Sequence, residues 1–197
     1  MKKNIGLIAG VIAAVIAFTG LYFLYGRLMK RYQPDKLTKY NSQSSQPDNQ
    51  TSDREESSSR KNKAPDFSVY DKSGNIIRLS DFYGKPVVIN FWATWCGYCT
   101  MEMPDFNRAY KEYPDVQFMM INATDGKRET VEIANEYVKE QGFEFSVFYD
   151  KDYNAISTYG VKGFPASFFI DKNGNLIAGA EGMIGYDDLI TGIKMIR

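Results

Sequence analysis

VVINFWATWCGYC, residues 87–99, is the most informative stretch of this chain. Its first seven residues, Val87–Ala93, form an apolar run of strand length, which predicts a central strand buried on both faces. The segment Gly97–Tyr113 has the apolar spacing of a helix and contains Pro104 near its start. The sequence therefore predicts a strand followed by a helix, with both cysteines of the chain at the junction.

More strands and helices alternate on the C-terminal side of this unit, and a hairpin precedes it. The hairpin is predicted over Phe67–Leu79, where two short apolar runs flank the turn residues Asp71–Asn75. A second hairpin is predicted to turn at Lys172–Asn175, which contains an Asn-Gly pair. This pattern predicts a mixed sheet with helices on both faces. The remaining predicted elements are strands over 116–123, 145–149, 166–171 and 176–180, and helices over 130–141, 153–159 and 186–196.

The composition removes several classes of function. The chain of 197 residues has no histidine and two cysteines, which disfavours Ser/His and Cys/His hydrolases, His-ligated haem and most zinc sites. Residues 65–197 carry 13 Lys and Arg against 19 Asp and Glu, and an acidic surface disfavours binding to nucleic acid. We therefore expect no metal, no cofactor and no nucleic-acid partner.

A membrane anchor is predicted at the N-terminus, in residues 1–31. The stretch Ile5–Tyr25 contains 21 consecutive residues without a charge. As a helix it would be about 32 Å long, which matches the hydrocarbon core of a bilayer. It is longer than the apolar part of a cleaved signal peptide, and no cleavage pattern of small residues follows it. We therefore expect a single uncleaved transmembrane helix.

A disordered tether is predicted over residues 32–64, between this anchor and one domain at residues 65–197. The tether is rich in Ser, Gln, Asn, Asp and Lys. It has too few apolar residues to offset the entropy that ordering would cost. The prediction is thus an anchor, a flexible tether and a single folded domain.

The two cysteines, Cys96 and Cys99, form one Cys-x-x-Cys motif at the start of the predicted helix. Unpaired backbone N–H groups and the helix dipole stabilise a thiolate at that position. We expect Cys96 to be the exposed nucleophile that attacks a partner disulfide. Cys99, one turn further on, is expected to be more buried and to resolve the mixed disulfide.

Three other interpretations of the motif are weaker. A zinc site would need ligands that the chain does not supply, unless another subunit adds them. Haem attachment would need a histidine where Thr100 stands. A purely structural disulfide would close so small a loop that it would contribute only about 2 kcal/mol.

The motif and two further segments resemble the thioredoxin superfamily, and within it the membrane-anchored thiol–disulfide oxidoreductases of the TlpA/ResA type. Residues 91–99 (FWATWCGYC) resemble the FWAxWCxxC motif of that family, and Pro104 matches the proline that bends its active-site helix. Residues 160–171 (GVKGFPASFFID) resemble the segment that carries its cis-proline. The resemblance covers residues 65–197. It implies a thioredoxin-like α/β fold, a mixed central sheet flanked by helices, with an N-terminal β-hairpin extension and a preceding transmembrane helix.

The resemblance also implies roles for residues around the dithiol. Pro165 is expected to be cis and, with Phe164, to leave a backbone edge where an extended substrate segment docks. Trp95 is expected to shield the dithiol, with core packing as the alternative role. Gly97 and Tyr98, between the cysteines, are expected to face the substrate and to tune the stability of the thiolate.

Glu102 is the predicted acid–base group. It stands three residues after Cys99, so the two share a helix face, and it matches the glutamate of TlpA/ResA-like proteins. A partly buried carboxylate there would have a raised pKa and could exchange protons with Cys99. The alternative is a solvated acid in the first helical turn. Asn90 occupies the position of the buried aspartate of thioredoxins proper and cannot titrate.

The sequence thus predicts an oxidoreductase that exchanges electrons with disulfides or dithiols of other proteins and with a membrane-linked thiol donor or acceptor. Five basic residues follow the predicted span within about 15 residues and two precede it, which favours a cytoplasmic domain. Large domains nonetheless cross membranes despite flanking charge, and the cytoplasm already holds soluble thiol reductants. We therefore expect a single-pass protein of a bacterial cell membrane with its domain outside the cytoplasm.

The direction of electron flow follows from the resemblance. TlpA/ResA-like relatives mostly reduce, for example in cytochrome c maturation, so we expect a reductase. The Gly97-Tyr98 dipeptide also resembles that of disulfide isomerases, so an oxidase or isomerase is the first alternative. A non-catalytic, membrane-tethered binding module is the second. A peroxidase of the related peroxiredoxin class is disfavoured, because its Thr-x-x-Cys motif would need threonine at Ala93.

Overall fold

The computed structural model describes residues 18–21, 24, 36–39 and 62–197. The chain divides into two compact units, residues 1–35 and 36–197. In the first unit the described residues 18–21 and 24 are helical; the rest of the predicted span Ile5–Tyr25 lies outside the described residues. Within the described part of the chain, none of the helices combines the length and apolar character that crossing a membrane requires.

The second unit is built on one mixed sheet of eight strands among the described residues. Along the sheet the strand order is β1-β8-β7-β4-β5-β6-β2-β3. The central pairs β4–β5 and β5–β6 are parallel, whereas β7 pairs with β4 in antiparallel orientation. The strands are β1 (Thr38–Lys39), β2 (Ser68–Tyr70), β3 (Ile76–Arg78), β4 (Val87–Trp92), β5 (Gln117–Asn122), β6 (Val147–Tyr149), β7 (Ala166–Ile170) and β8 (Leu176–Glu181).

Four α-helices and one 3₁₀ helix complete this unit in the described residues. The first α-helix begins at Gly97, inside the cysteine motif, as predicted. The helix predicted over residues 130–141 begins at Val131, with Thr130 as its N-cap and the left-handed Gly142 at its C-terminus. The helices are a 3₁₀ helix (Leu79–Phe82), α1 (Gly97–Glu112), α2 (Val131–Gln141), α3 (Asn154–Thr158) and α4 (Tyr186–Ile196).

Strand β4 is the centre of the core, and all six of its residues are buried. Side chains alternate between the faces of a strand. Val88 and Trp92 accordingly belong to one apolar cluster, together with residues of α1 and α4. Ile89 and Phe91 belong to a second cluster, together with residues of α3. The predicted thioredoxin-like α/β fold, a mixed sheet with helices on both faces, is confirmed.

Both predicted hairpins are present. Strands β2 and β3 pair in antiparallel orientation, as do β7 and β8. In the turn between β7 and β8 the Asp171 carboxylate accepts hydrogen bonds from the backbone N–H groups of Asn173 and Asn175, each at 2.9 Å. Gly174 adopts a φ of 77°, a conformation that glycine reaches without steric cost.

The structure differs from the prediction within residues 32–64, the predicted tether. Residues 36–39 are ordered on the edge of the sheet, where β1 pairs with β8 and Leu37 is buried. Ala64 is buried too, and its N–H donates to the Gly174 carbonyl at 2.9 Å. A single leucine among polar residues suffices to dock such a segment when a neighbouring strand supplies backbone partners. Residues 40–61 lie outside the described residues.

Candidate active site

The cysteine motif joins β4 to α1. Cys96 and Cys99 form a disulfide, with their Cα atoms 5.2 Å apart. Cys96 is the N-cap of α1, and its Sγ accepts a hydrogen bond from the Cys99 N–H at 3.2 Å. The first sulfur therefore sits where an unpaired helix N–H stabilises negative charge, as the sequence predicts.

The two cysteines differ in accessibility less than predicted. Cys96 is 7% exposed and Cys99 is wholly buried, so Cys96 is the more accessible of the two. It is not an exposed residue in this disulfide form, because it packs in the same apolar cluster as Cys99. A partner sulfur must therefore reach Cys96 through the small part of the residue that is exposed.

Large aromatic and apolar side chains in and next to the motif are exposed. Trp95 is 43% exposed, and Tyr98 and Met101 are more exposed still. The Trp95 ring meets the Phe164 ring edge-on at a centroid distance of 5.9 Å. The Arg128 guanidinium lies 4.3 Å from the centroid of the same indole. Trp95 is thus an exposed residue that contacts two neighbours; Met101 and Arg128 were not predicted from the sequence.

The proline segment lies beside the motif through the contact of Phe164 with Trp95. The Phe164–Pro165 peptide bond is cis, as the resemblance implies. The Pro165 carbonyl accepts a hydrogen bond from the Gly182 N–H at 2.8 Å. Gly97 is exposed at the first position of α1, with no atom near the place where a side chain would begin.

Glu102 is buried in α1, on the helix face that carries the buried Cys99. Its Oε1 accepts a hydrogen bond from the Asn90 side-chain amide at 2.7 Å, and its Oε2 accepts one from the Ile184 N–H at 2.9 Å. The same Asn90 nitrogen donates to the Ser167 hydroxyl at 3.1 Å. Residues from β4, α1, β7 and the loop before α4 thus enclose one carboxyl group.

The environment of Glu102 raises its pKa to about 7. Burial is the main cause, because loss of water disfavours the charged form. The hydrogen bonds from the Ile184 N–H and from Asn90 act in the opposite direction. Among charged groups, Asp105 raises this pKa and Lys36 lowers it. Glu102 therefore changes its protonation near neutral pH in a chain that has no histidine to do so.

A second buried carboxylate, Glu129, accepts hydrogen bonds from Thr94, which lies two positions before Cys96. Its Oε1 accepts hydrogen bonds from the Thr94 N–H at 3.0 Å and from the Asn122 amide at 2.6 Å. Its Oε2 accepts one from the Thr94 hydroxyl at 2.6 Å. The sequence analysis missed Glu129. Its position after the carboxyl end of β5, beside the end of parallel β4, was the signal that could have identified it.

The loop that carries Glu129 is ordered by Asp125. One Asp125 carboxylate oxygen accepts the backbone N–H groups of Lys127, Arg128 and Glu129, at 2.7 to 2.9 Å. These bonds hold the pKa of Asp125 below its ordinary value. The same loop therefore presents Arg128 to Trp95 on its outer side and Glu129 to Thr94 on its inner side. In the described part of the chain no three His, Cys, Asp or Glu side chains are grouped so as to hold a metal ion.

A strand, a Cys-x-x-Cys pair at a helix start and an adjacent cis-proline define the class of thioredoxin-fold thiol–disulfide oxidoreductases. The chain belongs to this class and to the AhpC/TSA family, which matches residues 61–178. It is 42% identical to the thiol-disulfide oxidoreductase ResA of Bacillus thuringiensis over 119 residues, which are 60% of this chain and 68% of the relative.

Solved structures show the same relationship. The exposed lipoprotein thioredoxin Etrx1 of Streptococcus pneumoniae matches with a TM-score of 0.56 and 31% identity, over 66% of this chain and 98% of that one. A thiol:disulfide interchange protein of the thioredoxin family from Chlorobium tepidum matches with a TM-score of 0.57 and 28% identity, over 68% and 95%. The protein is thus a thiol–disulfide oxidoreductase similar to ResA.

Proposed function

We propose that this oxidoreductase is tethered to a bacterial cell membrane by residues 1–31, with its domain outside the cytoplasm, and that it reduces disulfides of other exported proteins. The observation that carries the proposal is the buried carboxyl of Glu102 on the helix face of Cys99, with a pKa of about 7. Tethering is supported by the 21 uncharged residues of Ile5–Tyr25. The description of the pneumococcal relative as an exposed lipoprotein fits the same location.

The reaction proceeds through two exchanges of sulfur bonds. The Cys96 thiolate attacks one sulfur of the partner disulfide, so that a mixed disulfide forms and the partner's other sulfur leaves as a thiolate. Cys99 then attacks the Cys96 sulfur and expels the second partner thiolate. The partner gains two electrons and the protein is left with the Cys96–Cys99 disulfide. A membrane-linked thiol donor must reduce that disulfide before the next turnover.

Glu102 supports the second exchange as a proton acceptor. Cys99 is buried, so its thiol resists losing a proton to water. A carboxylate with a pKa of about 7 is ionised in half of the molecules at neutral pH and can accept that proton. Returning the proton to Cys99 accompanies reduction of the disulfide.

The same burial favours reduction over oxidation. Strong dithiol oxidants have a reduced form that is stabilised by a persistent thiolate. Both cysteines pack in one apolar cluster, which opposes negative charge on either sulfur and counteracts the stabilisation that the helix N–H gives Cys96; the nearby carboxyl opposes negative charge on Cys99 as well. We therefore expect a reduction potential near that of thioredoxin, about −270 mV, rather than near that of DsbA, about −120 mV.

Reduction of insulin by the full chain in detergent micelles tests the enzymatic reaction. We expect activity in the wild type, none in Cys96→Ser, and a trapped mixed disulfide with the substrate in Cys99→Ser. Persistent activity in Cys96→Ser would remove this mechanism. Equilibration with thiol redox buffers gives the potential, and a value as oxidising as that of DsbA would reverse the proposed direction.

Labelling of intact cells with a membrane-impermeant thiol reagent tests the location. After mild reduction, the cysteines of an extracytoplasmic domain react before the cells are broken. Protection until lysis would place the domain in the cytoplasm, in accord with the count of basic residues after the predicted span.

A further inference from the structure

The edge strand β1 brings a short N-terminal segment, residues 36–39, next to the pocket of Glu102. Thr38 and Lys39 pair with Gly179 and Ala178 of β8. Leu37, 8% exposed, is packed in the apolar cluster that contains Cys99 and Ile184. We call residues 36–39 the arm. It is the only described part of the chain between residues 25 and 61.

Lys36 and Glu102 bind the two ends of one peptide group. The Lys36 ammonium donates a hydrogen bond to the Met183 carbonyl at 2.9 Å. The N–H of the same peptide unit, that of Ile184, donates to Glu102 Oε2 at 2.9 Å. A peptide group is planar and rigid, so fixing the direction of its carbonyl also fixes the direction of its N–H.

Such a chain of hydrogen bonds is cooperative. A cation at the carbonyl polarises the amide and strengthens the bond that its N–H donates. The acceptor at the far end is a buried carboxyl, where a stronger N–H bond favours the ionised form. Lys36 thereby acts on Glu102 through the Met183–Ile184 peptide group as well as through its charge.

We propose that Lys36 is a positioning residue for Glu102 and that the arm completes the active-site pocket. The arm lies a few residues after the predicted membrane anchor, and through Lys36 it contacts the peptide group that donates to this carboxyl. The inference rests on the proposed role of Glu102 in exchanging protons with Cys99. The charged groups that act on Glu102 are Asp105, on its own helix, and Lys36; β4 and β7 contribute the uncharged Asn90 and Ser167.

The test uses the oxidised full chain in detergent micelles and compares Lys36→Met with Lys39→Met. Methionine keeps an apolar side chain of similar length and removes the ammonium donor. Lys39 is the matched control, because it is an exposed lysine of the same arm and pairs with Ala178 rather than contacting Met183. Two signals are read by NMR: the amide proton of Ile184, and the carboxyl carbon of Glu102 as a function of pH.

We expect the Ile184 amide proton to move upfield in Lys36→Met, which reports a weaker hydrogen bond, and the midpoint of the Glu102 titration to move to higher pH. Lys36→Arg, which restores a cationic donor, should return both signals towards the wild type. Lys39→Met should change neither. The shift should persist in about 1 M salt, where the Debye length is about 3 Å and long-range charge effects are screened.

Unchanged signals in Lys36→Met would overturn the inference. So would a shift that about 1 M salt abolishes, because it would leave only long-range charge. The amide signals of Gly179 and Ala178, which pair with the arm, report whether the arm stays on the sheet. If they move together with the Ile184 signal in Lys36→Met, the arm has detached and the role assigned to Lys36 itself is overturned. All these signals come from the oxidised protein without substrate. Failure of the reductase assay would therefore remove the proposed function and leave the contact of Lys36 with this pocket intact.

Discussion

Two buried glutamates flank the cysteine motif, and the pockets around them differ in one respect. Glu102 accepts an Asn90 amide N–H from β4, and Glu129 accepts an Asn122 amide N–H from β5. In the pocket of Glu129 the Asn122 side-chain oxygen accepts the Thr124 hydroxyl at 2.8 Å. In the pocket of Glu102 the Asn90 side-chain oxygen is buried and has no hydrogen-bond partner among the described residues.

The two side-chain amides therefore differ in the freedom of their oxygen atoms. Thr124 donates to the oxygen of the Asn122 amide and so fixes the orientation in which this amide donates to Glu129. The Asn90 amide has a free acceptor, and rotation of the amide would bring its oxygen to Glu102. A protonated Glu102 could then donate to that oxygen. The pocket of Glu102 thus offers a hydrogen-bond partner both to the carboxylate and to the protonated acid.

The largest effect is expected from Glu129→Ala. The change leaves the buried Asn122 amide and the half-buried Thr94 N–H and hydroxyl without their acceptor, and an unsatisfied buried donor costs about 1 to 3 kcal/mol. We expect the oxidised protein to lose about 4 kcal/mol of unfolding free energy, measured by urea denaturation. The control is Glu136→Ala on the exposed side of α2, which should change stability by less than about 0.5 kcal/mol. A similar small loss for both variants would refute the structural role of Glu129.

The next largest effect is the contribution of Glu102 to the pH dependence of the unfolding free energy. Its pKa in the folded protein is about 7, against 4.5 ordinarily. The unfolded chain therefore releases this proton first as the pH rises. As the pH rises from 4.5 to about 7, Glu102 therefore lowers the free energy of unfolding progressively, by about 3 kcal/mol in total. Above the higher value the penalty stays constant.

Glu102→Gln removes the titrating carboxyl group and with it this pH-dependent loss of stability. The difference in unfolding free energy between variant and wild type should grow in favour of the variant by about 3 kcal/mol from about pH 4 to about pH 8. Urea denaturation at both pH values measures it, and taking the difference cancels the contributions of other acids. A pH-independent difference would mean that the pocket does not hold Glu102 in its protonated form below neutral pH.

The smallest loss of stability is expected when Arg128 is replaced, on the outer side of the loop that carries Glu129. Arg128→Ala removes the guanidinium from the face of Trp95, a cation–π contact worth about 0.5 kcal/mol at an exposed site. We expect a stability loss of that size in urea denaturation. Lys127→Ala, the neighbouring exposed position, should change stability less. Equal losses in the two variants would show that the contact with the indole adds nothing.

Local patterns in the sequence were enough to find the dithiol and its carboxyl. The two cysteines lie three residues apart, and Glu102 follows Cys99 by one helical turn, so helix geometry alone brings them to one face. The cis state of Pro165 was found through the resemblance, because the residues around it form a recognisable segment. The order of strands and helices followed from apolar runs and turn residues.

The groups that complete the pockets could not be found in this way, because they are distant in sequence. Glu129 bonds to Thr94 across 35 positions, Ile184 to Glu102 across 82, and Lys36 to Met183 across 147. No periodicity connects such residues; only the folded sheet brings them together. The prediction of a disordered tether was wrong at residues 36–39 for the same reason. The polar composition of that segment does not show that the edge of β8 offers backbone groups with which it can pair.

The arrangement of the two indoles makes the redox state visible by fluorescence. Trp92 is wholly buried in β4, whereas Trp95 is partly exposed and precedes a disulfide-bonded cysteine. A disulfide accepts an electron from an excited indole nearby, so the emission of Trp95 should be quenched in the oxidised protein and recover on reduction. Trp92 packs in the same apolar cluster as both cysteines, so its emission should respond to the redox state as well. The chain therefore carries its own optical reporter, and a redox titration needs no attached label.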